Sequence, residues 1–428
     1  MSIHLHRREL LNGLACAGVC GAVPGYWTDP IDVAESDCSS RERAGQGADD
    51  PLPVAALVTE YRENTHADVI VGKILQGFDQ QGGAGPALRL ASLYVDQRPA
   101  GDLSTKLAEK FGFRLAGSID EALTLGSDRL QVAGVLSIAE HGSYPATPDT
   151  GQVTYPRRRF FDEAVRTFRR TGSTAPVFND KHLSYRWHDA LHMVTTAREL
   201  GFPLMAGSSV PVTWRRPARE LPRGCEVESV LMLGYGGLEA YGFHALEGMQ
   251  CMLERRGSGE TGVHAVRALL GKQIVRGLQR GEWSRGLFEA ALQAMPRAVA
   301  PDLTRLNDSA AFFQLAYRDG LVATVAIANG LADQFVFAAK LRGNDQPLVV
   351  LFELQEDKPF GHFAYLTRAI DAMVQTRKAV YPVERTLLTT GALDALMHSV
   401  ATSGAWRTTP ELAIRYQAAD WPFANRGA

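Results

Sequence analysis

Residues 177–211 read VFNDKHLSYRWHDALHMVTTARELGFPLMAGSSVP. The apolar start, Val177-Phe178, breaks into a polar knot, Asn179-Asp180-Lys181-His182. Trp187, Leu191, Val194, Ala197 and Leu200 then recur at helical spacing, Gly201 stops the helix, and residues 202–206 have the composition of the next strand. Strand, polar knot, helix, strand puts charged groups at the carboxyl end of a strand, the edge where open α/β sheets take their ligands. The stretch predicts a small-molecule site, with Lys181 and His182 as its first candidates.

The surrounding sequence repeats this grammar. Short apolar runs at 54–59, 88–95 and 132–138 alternate with helical patterns at 66–76, 103–111, a start at Ser118, and 160–170. This order predicts a parallel, doubly wound sheet over residues 54–206. The second half, 207–428, reads differently. A strand at 226–234 and helical patterns at 240–254, 262–278 and 285–295 precede two apolar runs, 312–317 and 321–328, that flank Arg318-Asp319-Gly320. An Asp-Gly between such runs is a hairpin signal. Strands at 334–341 and 348–355 and helices at 363–376 and 383–399 complete an α+β domain with an open antiparallel sheet.

Composition sets the bounds. A chain of 428 residues is long enough for two domains, and 45% hydrophobic with 21% charged residues suits a packed core. A net charge of −2 provides no global attraction to nucleic acid or anionic membrane. Five cysteines (Cys16, Cys20, Cys38, Cys225 and Cys251) show neither metal-ligand pairing nor a disulfide framework, and Cys225 and Cys251 read as free buried thiols. Arg7-Arg8 ahead of a weakly apolar run at 10–23 resembles a twin-arginine signal over residues 1–25, with small residues for cleavage near Ala22. Such a signal implies a periplasmic or secreted protein; a cytosolic tail with a chance Arg pair is the plain alternative. Residues 26–53 read as a linker, and no other segment could span a membrane.

Two local patterns carry a family resemblance. A strand ends in Asp180-Lys181-His182, and a later segment runs Gly236-Gly237-Leu238-Glu239-Ala240-Tyr241-Gly242-Phe243-His244. Together with the element order over about residues 54–399, they resemble the Gfo/Idh/MocA family of glucose–fructose oxidoreductase and inositol dehydrogenase. That family has Glu-Lys-Pro at the first pattern and Gly-Gly-x-x-x-Asp-x-Gly-x-His at the second. The resemblance implies a Rossmann-like domain followed by an open-sheet domain, and an oxidoreductase acting on a sugar or cyclitol hydroxyl with tightly bound NAD(P). It implies Lys181 as the substrate-site lysine and His244 as the acid/base, with His182 beside them. Arg62, Asp96, Glu140 and His141, at or near strand ends, would face the cofactor. The chain departs from the pattern in two places. The second segment is one residue short, so that Ala240 stands at the family's Asp. The turn after the first strand, Thr59-Glu60-Tyr61-Arg62-Glu63-Asn64-Thr65-His66, has no glycine and carries two carboxylates that repel phosphate.

Hydride removal from an alcohol needs a base for the hydroxyl proton and a donor for the oxygen, roles open to His244 and Lys181. Taken singly, Lys181 also reads as a solvated lysine, His244 as a packed helix histidine and Asp96 as a turn residue. His66, Glu140, His141, Asp180, His182, Glu239 and His244 form a second constellation. Their ligand types suit a divalent metal serving a lyase or hydrolase, although no tight ligand spacing such as H-E-x-x-H is present. A hydrogen-bonded polar cleft explains the same residues. Ser208, Ser209, Trp214, Arg215 and Arg216 read either as polyol contacts or as an inter-domain turn. The run Arg157-Arg158-Arg159 reads as a solvated helix start or an anion contact. No nucleic-acid motif and no G-x-S-x-G elbow is present. A non-catalytic binding protein on the same fold is the remaining alternative, and a homo-oligomer is open. Lys181, His182 and His244 are expected to converge in one cleft, with Glu140 and His141 at its rim.

Overall fold

A computed structural model describes residues 50–426. The signal segment and most of the linker expected from the sequence lie outside the described residues. Residues 50–426 lie in one compact unit that holds both sheets.

The first sheet is built from β1 (Leu52–Val58), β2 (Leu88–Val95), β3 (Arg114–Ala116), β4 (Gly134–Ile138), β5 (Val177–Asp180) and β6 (Leu204–Gly207). All its pairings are parallel, in the order β3-β2-β1-β4-β5-β6. This is the doubly wound order, whose direction reverses between β1 and β4. Helices α1 (His66–Gln76), α2 (Ser104–Phe111), α3 (Ile119–Thr124), α4 (Arg157–Thr171) and α5 (Trp187–Glu199) make the crossovers. Both faces of β1 are covered, and its side chains divide by the period of a strand: Ala55 and Leu57 join one core, Val54, Ala56 and Val58 the other.

The second sheet contains β7 (Trp214–Arg216), β8 (Val227–Gly234), β9 (Val263–Leu270), β10 (Ala311–Tyr317), β11 (Val322–Ile327), β12 (Phe335–Leu341), β13 (Leu348–Glu353) and β14 (Arg407–Thr408). Its order is β14-β9-β10-β11-β8-β12-β13-β7. The sheet is mixed: β8 and β11 pair in parallel, and the other pairings are antiparallel. Helix α6 (Ala240–Leu253) covers one face and α8 (Arg285–Gln293) the other. The Asp319-Gly320 hairpin forms between β10 and β11, with Tyr317 and Leu321 hydrogen bonded across it.

One expectation is corrected. Residues 262–278 are not one helix but strand β9, a turn at Gly271, and helix α7 (Lys272–Gln279). VHAVRALL carries apolar residues that suit either period, and pairing with β10 settles it as strand. The short strands β3, β7 and β14 carry too few residues to signal themselves. The closing helices α9 (Gly361–Thr376) and α10 (Val383–Ala401) return to the first sheet. Phe363, Leu366, Ile370 and Met373 of α9 share a core with β1 and α1, and α10 packs on α5, α6 and β9. Among the described residues no helix is long and apolar enough to cross a membrane.

Candidate active site

The carboxyl ends of β4, β5 and β6 lie side by side, and the chain leaves two of them in an unusual way. His141, just past β4, and Lys181, just past β5, have φ of 70° and 61°, the left-handed region that non-glycine residues seldom occupy. The backbone of Lys181 is held there by its amide, which donates to Gly207 O at 3.0 Å. Gly207 itself has φ 129°, and a Cβ on it would stand 2.6 Å from Glu247 Oε2, so β6 must end in glycine.

Glu140 is the hub. Its Oε1 accepts from Lys181 Nζ at 2.8 Å and its Oε2 from Arg157 Nη2 at 2.5 Å. Its backbone carbonyl accepts from Thr59 Oγ1 at 2.7 Å, tying the end of β1 to the end of β4. Glu140, Lys181 and His182 are 5%, 4% and 2% exposed, and Arg157 is fully enclosed. Burial works to raise the Glu140 pKa, but the charges of Lys181, Arg157 and His66 outweigh it and hold the carboxyl well below the usual range. Glu140 is thus the centre of the cluster rather than part of its rim.

Arg157 Nη1 lies 3.0 Å from His182 Nε2. A guanidinium only donates, so Nε2 is the acceptor and Nδ1 carries the proton. Burial, then the Arg157 charge, keeps His182 neutral by pushing its pKa well below the ordinary value. His66 Nδ1 meets Asp180 Oδ2 at 2.6 Å, and its ring packs edge-on against His141 and Phe363. Burial holds His141 down to about 4 and His362, at the start of α9, to about 3.

His244 reaches the same edge from the second sheet. After β8 the chain turns through Gly236 (φ 83°) into α6, and His244 Nδ1 sits 2.6 Å from Ser208 Oγ, just beyond β6. Burial and the charges of Lys181 and His66 push its pKa well below the ordinary value, so it is neutral near neutral pH. With Nδ1 on Ser208, Nε2 is the ring nitrogen left for an incoming group. Lys181, His182, Glu140 and His141 therefore meet in one polar cluster, and His244 lies within reach of the charges of Lys181 and His66.

Two further candidates have other partners. Arg62 pairs with Glu60, and Asp96 is held by Tyr94 Oη at 2.8 Å, Tyr144 Oη at 2.6 Å and Arg159 Nη2 at 2.5 Å. The β1–α1 turn is packed from within. Tyr61 is fully buried, Glu60 is 3% exposed, Asn64 N donates to Asp68 Oδ2, and Thr65 N donates to Arg62 O. A dinucleotide's phosphates need free amides and close backbone approach at this turn. These residues do not fit that group in the manner of a glycine-rich loop. Nothing supports the metal alternative: among the described residues no three His, Cys, Asp or Glu are grouped to hold an ion.

Sequence reasoning missed Arg157 as a site residue. Its signal was its place on one helical stripe with Phe160, Phe161, Ala164, Val165 and Phe168, all buried, whereas Arg158 and Arg159 are partly exposed and ion-paired. Trp214, Arg215 and Arg216 serve the second sheet instead. They form β7 against β13, and Arg215 is buried against Phe423 and Phe352. Of the two thiols, Cys251 is buried and Cys225 only partly so.

No family model matches the chain, and no curated protein matches it by sequence. Its fold, however, is that of known dehydrogenases. GenD2 from gentamicin A biosynthesis, solved with NAD, aligns over 85% of this chain and 98% of its own at 16% identity, with a TM-score of 0.53. Apo scyllo-inositol dehydrogenase from Lactobacillus casei aligns over 84% and 98% at 9% identity, TM-score 0.53. An oxidoreductase from Agrobacterium radiobacter, solved with NAD+, L-tartaric acid and magnesium, aligns over 84% and 98% at 12% identity, TM-score 0.50. The resemblance to Gfo/Idh/MocA dehydrogenases read from the sequence is met at the level of the fold.

Proposed function

We propose that the protein is an oxidoreductase of the Gfo/Idh/MocA type acting on a hydroxyl of a sugar- or cyclitol-like molecule. The observation that supports it is that Lys181, clamped by Glu140, and a neutral His244 are tied to adjacent residues at the carboxyl edge of the first sheet, Lys181 N to Gly207 O and His244 to Ser208. A substrate oxygen in this cluster takes an N–H from Lys181, whose ammonium spends one of its three donors on Glu140. In the tautomer that donates Nδ1–H to Ser208, His244 Nε2 presents a lone pair that accepts the hydroxyl proton. Neutral histidines accept and donate one hydrogen bond each, and His141 Nε2 and His362 Nδ1 are buried without partners, as suits a ring bearing several hydroxyls.

A nicotinamide, the group bound in GenD2, supplies the hydride acceptor in this class. The packed β1–α1 turn with Glu60 and Glu63 should bind added nucleotide poorly, so this reading calls for a nucleotide already in place in the purified protein. The same packed turn favours a second reading, a sugar-binding protein on this fold without nucleotide. Denaturing the purified protein and analysing the supernatant by mass spectrometry separates them. The first reading expects released NAD(P), reduction of the bound nucleotide on adding scyllo-inositol or related cyclitols and sugars, and a loss of about 10²- to 10⁴-fold in turnover for His244→Asn. Absence of nucleotide together with cyclitol binding would favour the second.

A further inference from the structure

Glu239 stands at the turn into α6, next to the alanine that replaces the family's aspartate. The turn is fixed by Asn329, which accepts from Gly236 N at 2.7 Å and donates to Gly236 O at 3.0 Å. One carboxyl oxygen of Glu239, Oε2, accepts from Val153 N at 2.9 Å, in the crossover between β4 and α4. The other, Oε1, is buried without a partner and lies 3.8 Å from His182 Nε2.

That neighbour decides the chemistry. His182 Nε2 already accepts from Arg157, so it bears no N–H to give Glu239. An ionised Oε1 would therefore be buried with no donor. The other charged and titratable groups around it do not repair this. Arg157 of α4 and Lys181 after β5 pair with Glu140, and neither donates to Glu239 Oε1, while Glu140 after β4 is itself an anion. Tyr155, in the crossover, has a phenol whose pKa burial and these carboxylates raise. Burial likewise raises the Glu239 carboxyl above its ordinary value, against the pull of Val153 N and Arg157.

We infer that Glu239 is a neutral carboxylic acid at this site, whose Oε1–H is a donor placed to hold an acceptor oxygen of the bound molecule. The inference concerns the site of the proposed oxidoreductase and rests on that reading for the identity of the ligand. It makes Glu239 a substrate-binding residue, and it gives the site a donor that disappears when the pH rises far enough to ionise it.

Infrared difference spectroscopy of the full chain tests the proton directly. Glu239→Gln keeps the shape and an acceptor for Val153 N. Near neutral pH, the wild-type minus Glu239→Gln spectrum is expected to show the C=O stretch of a protonated acid. The other buried carboxyls, such as Glu247, cancel because both proteins contain them. A difference made of carboxylate bands instead would overturn the inference, and Glu239→Ala gives the same reading if the glutamine variant fails to fold. Scyllo-inositol titration followed by tryptophan fluorescence tests the donor. The glutamine amide can still donate, so Glu239→Gln should bind within about threefold of wild type, while Glu239→Ala should lose about tenfold. Equal binding by all three would refute the donor role. If wild type binds no scyllo-inositol, the proposed substrate class is in error, while the infrared result still decides the protonation of Glu239.

Discussion

Glu140, Lys181, Arg157 and His182 form a buried network in which each charge has a partner. Burial keeps His141 and His362 beside it neutral, and this has a consequence for stability. His141 and His362 are held by burial to about 4 and about 3, against an ordinary value of 6.5 in an open chain. Between those values the unfolded chain binds more protons than the folded one, so stability rises with pH there. Their contribution is fully present above about 6.5 and is lost as the pH falls toward 4 and then 3. Melting temperature should thus fall on acidification from neutrality through this window, and His362→Gln should flatten the slope. A melting temperature unchanged over the window would show that these imidazoles are solvated.

Among the elements, α10 joins the two halves. It touches α5 and β6 of the first layer and α6 and β9 of the second. Close approach to α5 depends on Gly391, where a Cβ would collide with Leu412 and stand 2.7 Å from Trp187 Cε3. Leu412 can swing, but Trp187 is buried and its backbone is anchored by its N–H, which donates to Asp394 Oδ2 at 2.9 Å. Gly391→Ala should gain helix propensity yet lose about 1–3 kcal/mol to overpacking, read as a lower urea midpoint with an unchanged slope. A stabilised variant would mean that α5 and α10 separate freely, and with them the support behind the Lys181 turn.

For the molecule as a whole, we propose export through a folded-protein route directed by Arg7-Arg8. Residues 50–426 lie in one compact unit with a site assembled from both sheets, the kind of cargo for which export after folding is an advantage. Changing Arg7 and Arg8 together to Lys keeps the charge and removes the pair. Precursor should then accumulate in the cytoplasm, as followed by cell fractionation and the mass of the amino terminus. Export at the wild-type level would remove this proposal.

How much of this was written locally can be traced residue by residue. Alternating apolar runs and helical stripes marked most strands and helices, because burial of one face imposes its period on neighbouring residues. The Asp319-Gly320 hairpin and the Asp180-Lys181-His182 strand end were legible for the same reason: turn chemistry and strand ends are short-range. Residues 262–278 were not, since VHAVRALL fits either period and only the hydrogen bonds of β10 make it a strand. The site was legible as a set of candidates and not as a network. Arg157 in a basic run looked like solvent-facing charge until packing buried it beneath Glu140. Glu239 and His182 are neighbours only because the turn after β8 and the end of β5 are brought together from two different sheets. Sequence by itself determined the elements, their order and the polar strand ends. Tertiary structure decided which polar groups are paired, which are neutral and which are left for a ligand, because those properties depend on burial and on partners far apart in the chain.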